Sequence, residues 1–366
     1  MQTNQIKNLT LVGRLTINLA SLNNEGSEGN ATQPRMATIV EDGHLYTVPV
    51  ISGDMLKYWH MKHLSEIAQD RNLPLCLNAQ RKSPNPNRIK EELSDAKWVE
   101  EKFPPAVWDK MKAKKKADPS TKREIEQALY QVVAKECLVT DAHGILITEI
   151  APQNKTGATV VETGVAVART SRVQVGFMTG IPRRNATEHY FHAKFVSSRT
   201  GIQARENKSN EGQNIFTRPA TSAEFAIVVA IDLEGLGFDD AANKHVVESG
   251  QLALRKKSVI DALSYTLMSQ PGANTSQQLP HIMSFEGALV TSTSRCPAPS
   301  VSAIKADYLD ILEKLVETSN MMSDSVAVSM KRLNSLADAV TELSALTRVI
   351  QEAEVEGTEP KGLTKD

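Results

Sequence analysis

The residues of this chain that are placed to do chemistry are cations and aromatics. Between Arg169 and Arg218 there are nine Lys/Arg against three Glu, a local net of +6, although the whole chain sums to −1. A local excess of this kind binds phosphate where the average charge does not. Tyr190, Phe191, Phe195 and Phe216 are interleaved with those cations. Cations that follow a phosphate backbone, with aromatic faces on which bases stack or against which they wedge, suit a single-stranded nucleic acid. Upstream, SLNNEGSEGNATQPR (21–35) reads as a loop in which Gly26 and Gly29 permit close backbone approach and Arg35 is a further candidate phosphate contact. The cationic run KMKAKKK (110–116) reads better as a solvated helix end.

Acid–base, nucleophilic and metal chemistry find little support. No Walker A, dinucleotide fingerprint, HExxH or GxSxG is present. His189 and His192 have an HxxH spacing without a clear third ligand, so no metal and no cofactor is expected. Asp239 and Asp240 stand beside Gly235 and Gly237 and read as the end of a strand. Cys76, Cys137 and Cys296 are far apart, with no CxxC or zinc-type spacing, which points to a reducing, cytoplasmic setting. MQTNQIKNLT lacks the apolar core of a signal peptide, and the densest apolar run, 225–231, is far too short for a bilayer, so no membrane partner is expected.

The elements that must position the cations follow from periodicity. Residues 6–20 alternate as a strand, with Leu9, Leu11, Leu15, Ile17 and Leu19 on one face and Asn8, Thr10, Arg14, Thr16 and Asn18 on the other. The polar face is read as an open surface on which a ligand can lie. Strands at 36–40 and 45–50 flank a turn at 41–43 and lead into VPVISGDMLKYWHMKHL, a strand, tight turn and helix. Ser52 is suited to cap that helix, and Asp54 sits well at its positive end. Residues 70–140 read as a helical insertion, with helices at 88–103, 105–116 and 119–138. Strand pattern returns at 144–150 and 159–178. Residues 179–219 show little periodicity and read as a long functional loop. EFAIVVAID (224–232) is apolar on both parities and therefore central. A helix at 248–270, a loop at 271–280, a strand at 281–291, two amphipathic helices (one from about 304, one over 323–353) and a disordered tail complete the chain. Strand–helix–strand followed by strand–helix–strand implies an α+β fold. Its sheet would be a ferredoxin-like (RRM-like) palm, and RNA would meet the side away from the helices.

The loop NNEGSEGN, the junction VPVISGDMLKYWH, the segment QNIFTRPATSAEFAIVVAIDL and the late PGANTSQQLP…FEGALV…CPAPSVS occur in one order. In that order, over roughly residues 5–310, the chain resembles the DevR-type backbone subunits of type I CRISPR Cascade complexes, in the RAMP superfamily. The resemblance implies a palm and, within it, a thumb-like basic extension (179–218). With the residue reading this divides the chain into a palm (1–69 and 141–302), a helical insertion (70–140) in a region variable in that family, and C-terminal helices (303–366) outside the matched motifs. The resemblance also implies a guide-RNA-binding subunit that does no chemistry of its own. Copies would stack along one CRISPR RNA, beside other Cascade subunits, and present the guide to a target DNA strand. By the same resemblance Ser52, Lys57 and His60 meet guide phosphates at the start of the first helix. The loop Gly272–Gln278, with Asn274, Ser276 and Gln277, faces the guide. The match leaves open which thumb cation meets phosphate; Arg183, Arg184, Arg199 and Arg205 are the candidates, with Arg169 and Arg172 flanking them.

Two other classes stay in view. Some relatives in the superfamily are metal-dependent ribonucleases that use a loop Asp, where this chain offers Glu25 and Glu28. A protein-only scaffold that polymerises through the helical insertion is the other.

Overall fold

The structure, a computed structural model, describes residues 6–21, 24–28, 31–81, 84, 88–113, 118–154, 156–160, 164–195, 213–270, 275, 277–322 and 327–358. In chain order the strands and helices begin with β1 (Asn8–Ala20), β2 (Asn24–Glu28), β3 (Ala31–Pro34), β4 (Met36–Glu41), β5 (His44–Ile51) and α1 (Gly53–Asp70). The helical stretch holds α2 (Leu77–Gln80), two 3-10 turns, α3 (Ala96–Lys102), α4 (Pro105–Lys112), α5 (Pro119–Glu136) and α6 (Leu138–His143). There follow β6 (Ile145–Ile147), β7 (Val167–Arg169), β8 (Val173–Val175), β9 (Met178–Phe195), β10 (Gln213–Asp232), β11 (Phe238–Asp239), β12 (Lys244–His245) and α7 (Ser249–Met268). The chain closes with β13 (His281–Ser292), α8 (Tyr308–Met321), β14 (Val328–Leu333) and α9 (Leu336–Thr358).

The main sheet runs β14-β13-β1-β10-β9-β5-β4, and every pairing along that path is antiparallel. β1 lies inside the sheet, between β13 and the central β10, because both its faces are apolar enough to be covered. Leu9, Leu11, Leu15 and Ile17 point into the main core, which α1, α5, α6, α7 and α9 share. Val12 points the other way, with Ile181 and Ala226. β10 is double-sided as its sequence predicts: Phe225, Ile227, Val229 and Ile231 enter the main core while Ala226 packs on the opposite face. At Gly13 a Cβ would lie 2.5 Å from the Glu286 carbonyl and 2.7 Å from the Phe285 ring, so the ring takes the space a side chain would need.

Asp42 and Gly43, with φ of 48° and 78°, make the two-residue turn of the β4–β5 hairpin. Helix caps are local and legible. Ser52 accepts from the Met55 amide at 3.3 Å, and Asp95 and Asp118 cap α3 and α5. Ile125, Leu129, Val132 and Val133 bury the inner side of α5 in the main core. Cys76 and Cys137, 61 positions apart, are free thiols with their sulfurs 3.2 Å apart in the interior.

Three expectations are corrected. The polar face of β1 is not open at its centre, because Ala298–Met321 covers it. The Thr10 hydroxyl donates to the Ala298 carbonyl at 3.1 Å. Arg14, 8% exposed, donates to the carbonyls of Ala303 (2.8 Å) and Lys305 (3.0 Å). Apolar Val12, Ala226, Ala288 and Val290 share that face and are covered by Ala303, Tyr308, Leu312 and Val316. Residues 328–333 are a strand instead of part of a helix over 323–353, because they pair with the outer side of β13. Finally, the ends of the expected loop 179–219 are extended strands, and 24–28 with 31–34 form a hairpin.

Candidate nucleic-acid interface

β9 and β10 pair from Thr179–Ala226 out to Phe195–Gln213, beyond the reach of β1, whose pairing with β10 ends at Ala20–Thr221. Past that point, among the described residues, β3 joins β10 on that side, at Ala31–Thr217. On β9 of this ribbon residues 188–191 are exposed, whereas Pro219 and Ala220 of β10 are buried. Phe191 is 82% exposed, and Tyr190 stands opposite Arg218 in register. Aromatic faces left in water beside cations are surfaces on which unpaired bases can stack. The Arg218 guanidinium donates to the Gln277 side-chain oxygen at 3.3 Å, which brings the late loop against the root of the ribbon.

Arg183 and Arg184 stand where the β9–β10 register shifts, between Ala223 and Phe225. Arg184 donates to Glu224 at 2.6 Å, and that carboxylate holds its charge firmly on. Glu224 and Glu286 also face Arg14, at 3.9 and 3.7 Å. Arg183, which is exposed, donates to the Tyr46 phenol oxygen and lies over its ring, 5.1 Å from the centroid. Tyr46 and Arg218 were not singled out in the sequence. Tyr46 carries no signal there beyond its place in a strand, since its partner is 137 positions away.

The remaining expected contacts divide by burial. Ser52 is 3% exposed and its hydroxyl serves the α1 cap. Lys57 and Arg35 are half-buried, and the Arg35 carbonyl accepts from the Val50 amide at 3.0 Å. Three expected contacts turn inward. His60 is 1% exposed, between the His143 ring nitrogen and the Val259 carbonyl, each 3.0 Å away. Burial pushes its pKa down to about 4, against the hydrogen bond to Val259, so the ring is neutral near pH 7. The Arg169 side chain is 0% exposed and ion-paired with Asp141. It also donates to the carbonyls of Phe238 (3.0 Å) and Gly235 (3.1 Å) and lies over Tyr130. Arg172 is held by Asp232 (3.1 Å) and Asp240 (2.8 Å). The reason is the same for both arginines. They neutralise carboxylates that tie α6 and the 232–240 turns to the sheet, and those partners lie far away in sequence. Arg255 completes the cluster, bridging Asp141 (2.8 Å) and the last carbonyls of α5 at Ala134 and Lys135. Arg199, Arg205, Asn274 and Ser276 lie outside the described residues.

Among the described residues no group of three or more His, Cys, Asp or Glu is placed to hold a metal, and no helix is long and apolar enough to cross a membrane. The β9–β10 ribbon and its root offer guanidiniums, the Gln277 amide and aromatic faces, groups that can meet a polyanion with unpaired bases.

Comparison with known proteins gives a family match over most of the chain. The model described as "CRISPR-associated negative auto-regulator DevR/Csa2" matches residues 11–311. A relative from Saccharolobus solfataricus, "CRISPR-associated aCascade subunit Cas7/Csa2 2", is 27% identical over 94% of this chain and 98% of its own length. One from Methanocaldococcus jannaschii, "CRISPR-associated protein Cas7/Cst2/DevR", is 23% identical over 86% of this chain and 90% of its own. Among solved structures, a chain of a "CRISPR RNA-guided surveillance complex, pre-nicking" aligns with a TM-score of 0.44 at 12% identity, covering 93% of this chain and 99% of that one.

Proposed function

The chain belongs to the DevR/Csa2 family of CRISPR-associated proteins, and on that premise we propose that it is a guide-RNA-binding backbone subunit of a Cascade complex. Copies of the chain line one CRISPR RNA, beside other subunits, and hold its bases for pairing with a target DNA strand. The chain does no chemistry of its own. The observation that carries this reading beyond family membership is the β9–β10 ribbon, where exposed Arg183, Tyr190 and Phe191 share one extended element. Contacts of this kind grip the phosphate backbone without reading sequence.

The strand order β13-β1-β10-β9, with α1 and α7 as the two crossovers, supports reading the centre of the sheet as a ferredoxin-like palm. The ribbon then takes the place of the thumb. The coverage of the second sheet face by Ala298–Met321 moves the guide off the sheet centre and onto the ribbon and its root.

The test is the native mass and the 260/280 nm absorbance ratio of the purified full chain, with and without single-stranded RNA. The reading expects a discrete multimer that carries RNA and comes apart on ribonuclease treatment. A monomer that ignores RNA overturns it, and a multimer that persists after all RNA is removed favours a protein-only scaffold.

A further inference from the structure

Arg183 and Arg184 are neighbours in opposite electrostatic settings, and the difference assigns them different work. Arg184 is matched by Glu224, whereas among the described residues no carboxylate lies within 4.0 Å of the Arg183 guanidinium. Arg183 is held instead by an aromatic ring. Its Cζ lies 5.1 Å from the Tyr46 centroid and it donates to the Tyr46 phenol oxygen. Tyr46 in turn meets the edge of His44, with centroids 6.4 Å apart and planes at 65°. His44, Tyr46 and Arg183 thus form a row built from two separate elements, the β4–β5 hairpin and β9.

The backbone supports the same assignment. Arg183 takes φ of 61°, the left-handed region that a long side chain rarely adopts, at the register shift between β9 and β10. A bulge re-aims the side chain it carries, and strained backbone persists only where its surroundings over-determine it. Here the bulge turns Arg183 out of the strand alternation and onto the Tyr46 ring, leaving it exposed. A guanidinium tethered at the hydroxyl end of a tyrosine, by a hydrogen bond and a cation–π contact, is held in place with its charge intact. The side away from the ring then offers a flat, cationic surface on which a base can stack beside its own phosphate.

Building on the RNA-binding reading above, we propose that Tyr46 is a positioning residue that holds the exposed Arg183 guanidinium in place as a stacking platform for an unpaired nucleobase of single-stranded RNA. Arg183 makes the contact. Tyr46 orients it and contributes no charge. Arg184 stays bound to Glu224 and takes no direct part.

The experiment titrates the full chain, wild type and variants, with a single-stranded RNA of about 20 nucleotides carrying 2-aminopurine at successive positions, over a range of salt. At one or more positions wild type quenches the fluorophore, as stacking requires. Tyr46→Ala and Arg183→Ala each lose that quenching and weaken binding about tenfold, the size of one base stack. The double variant is no weaker than either single one. Tyr46→Phe, which keeps the ring but loses the hydrogen bond from Arg183, gives quenching and binding between those of wild type and Tyr46→Ala. Arg183→Ala lowers the salt slope by about one, whereas Tyr46→Ala leaves it unchanged, which a general loss of structure would not do. Unaltered quenching and affinity in Tyr46→Ala, or losses that multiply in the double variant, overturn the proposal while the RNA-binding reading stands. A wild-type chain that binds no RNA overturns both.

Discussion

Replacing Arg169 by alanine separates a phosphate contact from a structural one. Arg169 and Asp141 are both 0% exposed at the side chain, and the guanidinium also serves the carbonyls of Asp141 (3.3 Å), Phe238 (3.0 Å) and Gly235 (3.1 Å). Removing one partner of a buried ion pair costs about 3–5 kcal/mol, mainly because the other charge is left uncompensated. Asp141 keeps Arg255 at 2.8 Å and the Gly237 amide at 2.9 Å, so the carboxylate is not abandoned. That places the loss near the lower end, about 3 kcal/mol, or roughly a hundredfold in the unfolding equilibrium. Urea unfolding, followed by the fluorescence of Trp59, Trp98 and Trp108, reads it as a lower midpoint at unchanged slope. The same variant binds RNA, below its unfolding range, with an unaltered salt slope, since the lost charge never faced solvent. Wild-type stability together with a salt slope lower by about one would show that Arg169 meets phosphate, and the reasoning from burial would be wrong.

Three further outcomes follow from the same structure. His60 has a folded pKa of about 4 against 6.5 unfolded, so between those values the unfolded chain binds the extra proton. Stability is therefore fully present above pH 6.5 and falls by about 3 kcal/mol as pH drops toward 4. Urea midpoints at pH 7 and pH 4.5 measure this, and His60→Gln should fall less steeply between them than wild type; equal falls would refute it. Gly13→Ala should cost about 2 kcal/mol by overpacking, because its Cβ meets the Glu286 backbone and the Phe285 ring. A midpoint within error of wild type would mean that β1 and β13 yield easily. Ser52→Ala should cost about 1 kcal/mol as the α1 cap is lost, read in the same unfolding assay, and no change would show the Met55 amide satisfied by other means.

Much of the frame was legible because it is local. The alternation of β1 as far as Ile17, the turn at Asp42 and Gly43, the Ser52 cap and the apolar side of α5 each follow from residues a few positions apart, whereas Leu19, expected on the core face, is 46% exposed where the register with β10 shifts. The two-sided apolar run of β10 announced a central strand. What escaped was non-local. The arms of β9 and β10 mix polar, apolar and aromatic residues on both sides, so no alternation marks them, and their register is set by pairing alone. Met330 and Leu333, three positions apart, fit helical spacing; in the strand they fall on opposite faces, Met330 against the Leu312 cluster and Leu333 in the main core. For the candidate site, composition located the cationic stretch but not the direction of each cation. Arg169 and Arg172 turn inward to Asp141, Asp232 and Asp240, while Arg183 turns outward onto Tyr46, and a count of charges treats all three alike.

The most direct test of the central claim is the affinity of the full chain for single-stranded RNA as a function of salt, measured on two unrelated sequences. A backbone-gripping subunit predicts a straight, steep fall of log affinity with log salt, with nearly the same slope for both RNAs, because each neutralised phosphate releases counterions whatever its base. A flat salt dependence, or binding to one sequence and not the other, would contradict it.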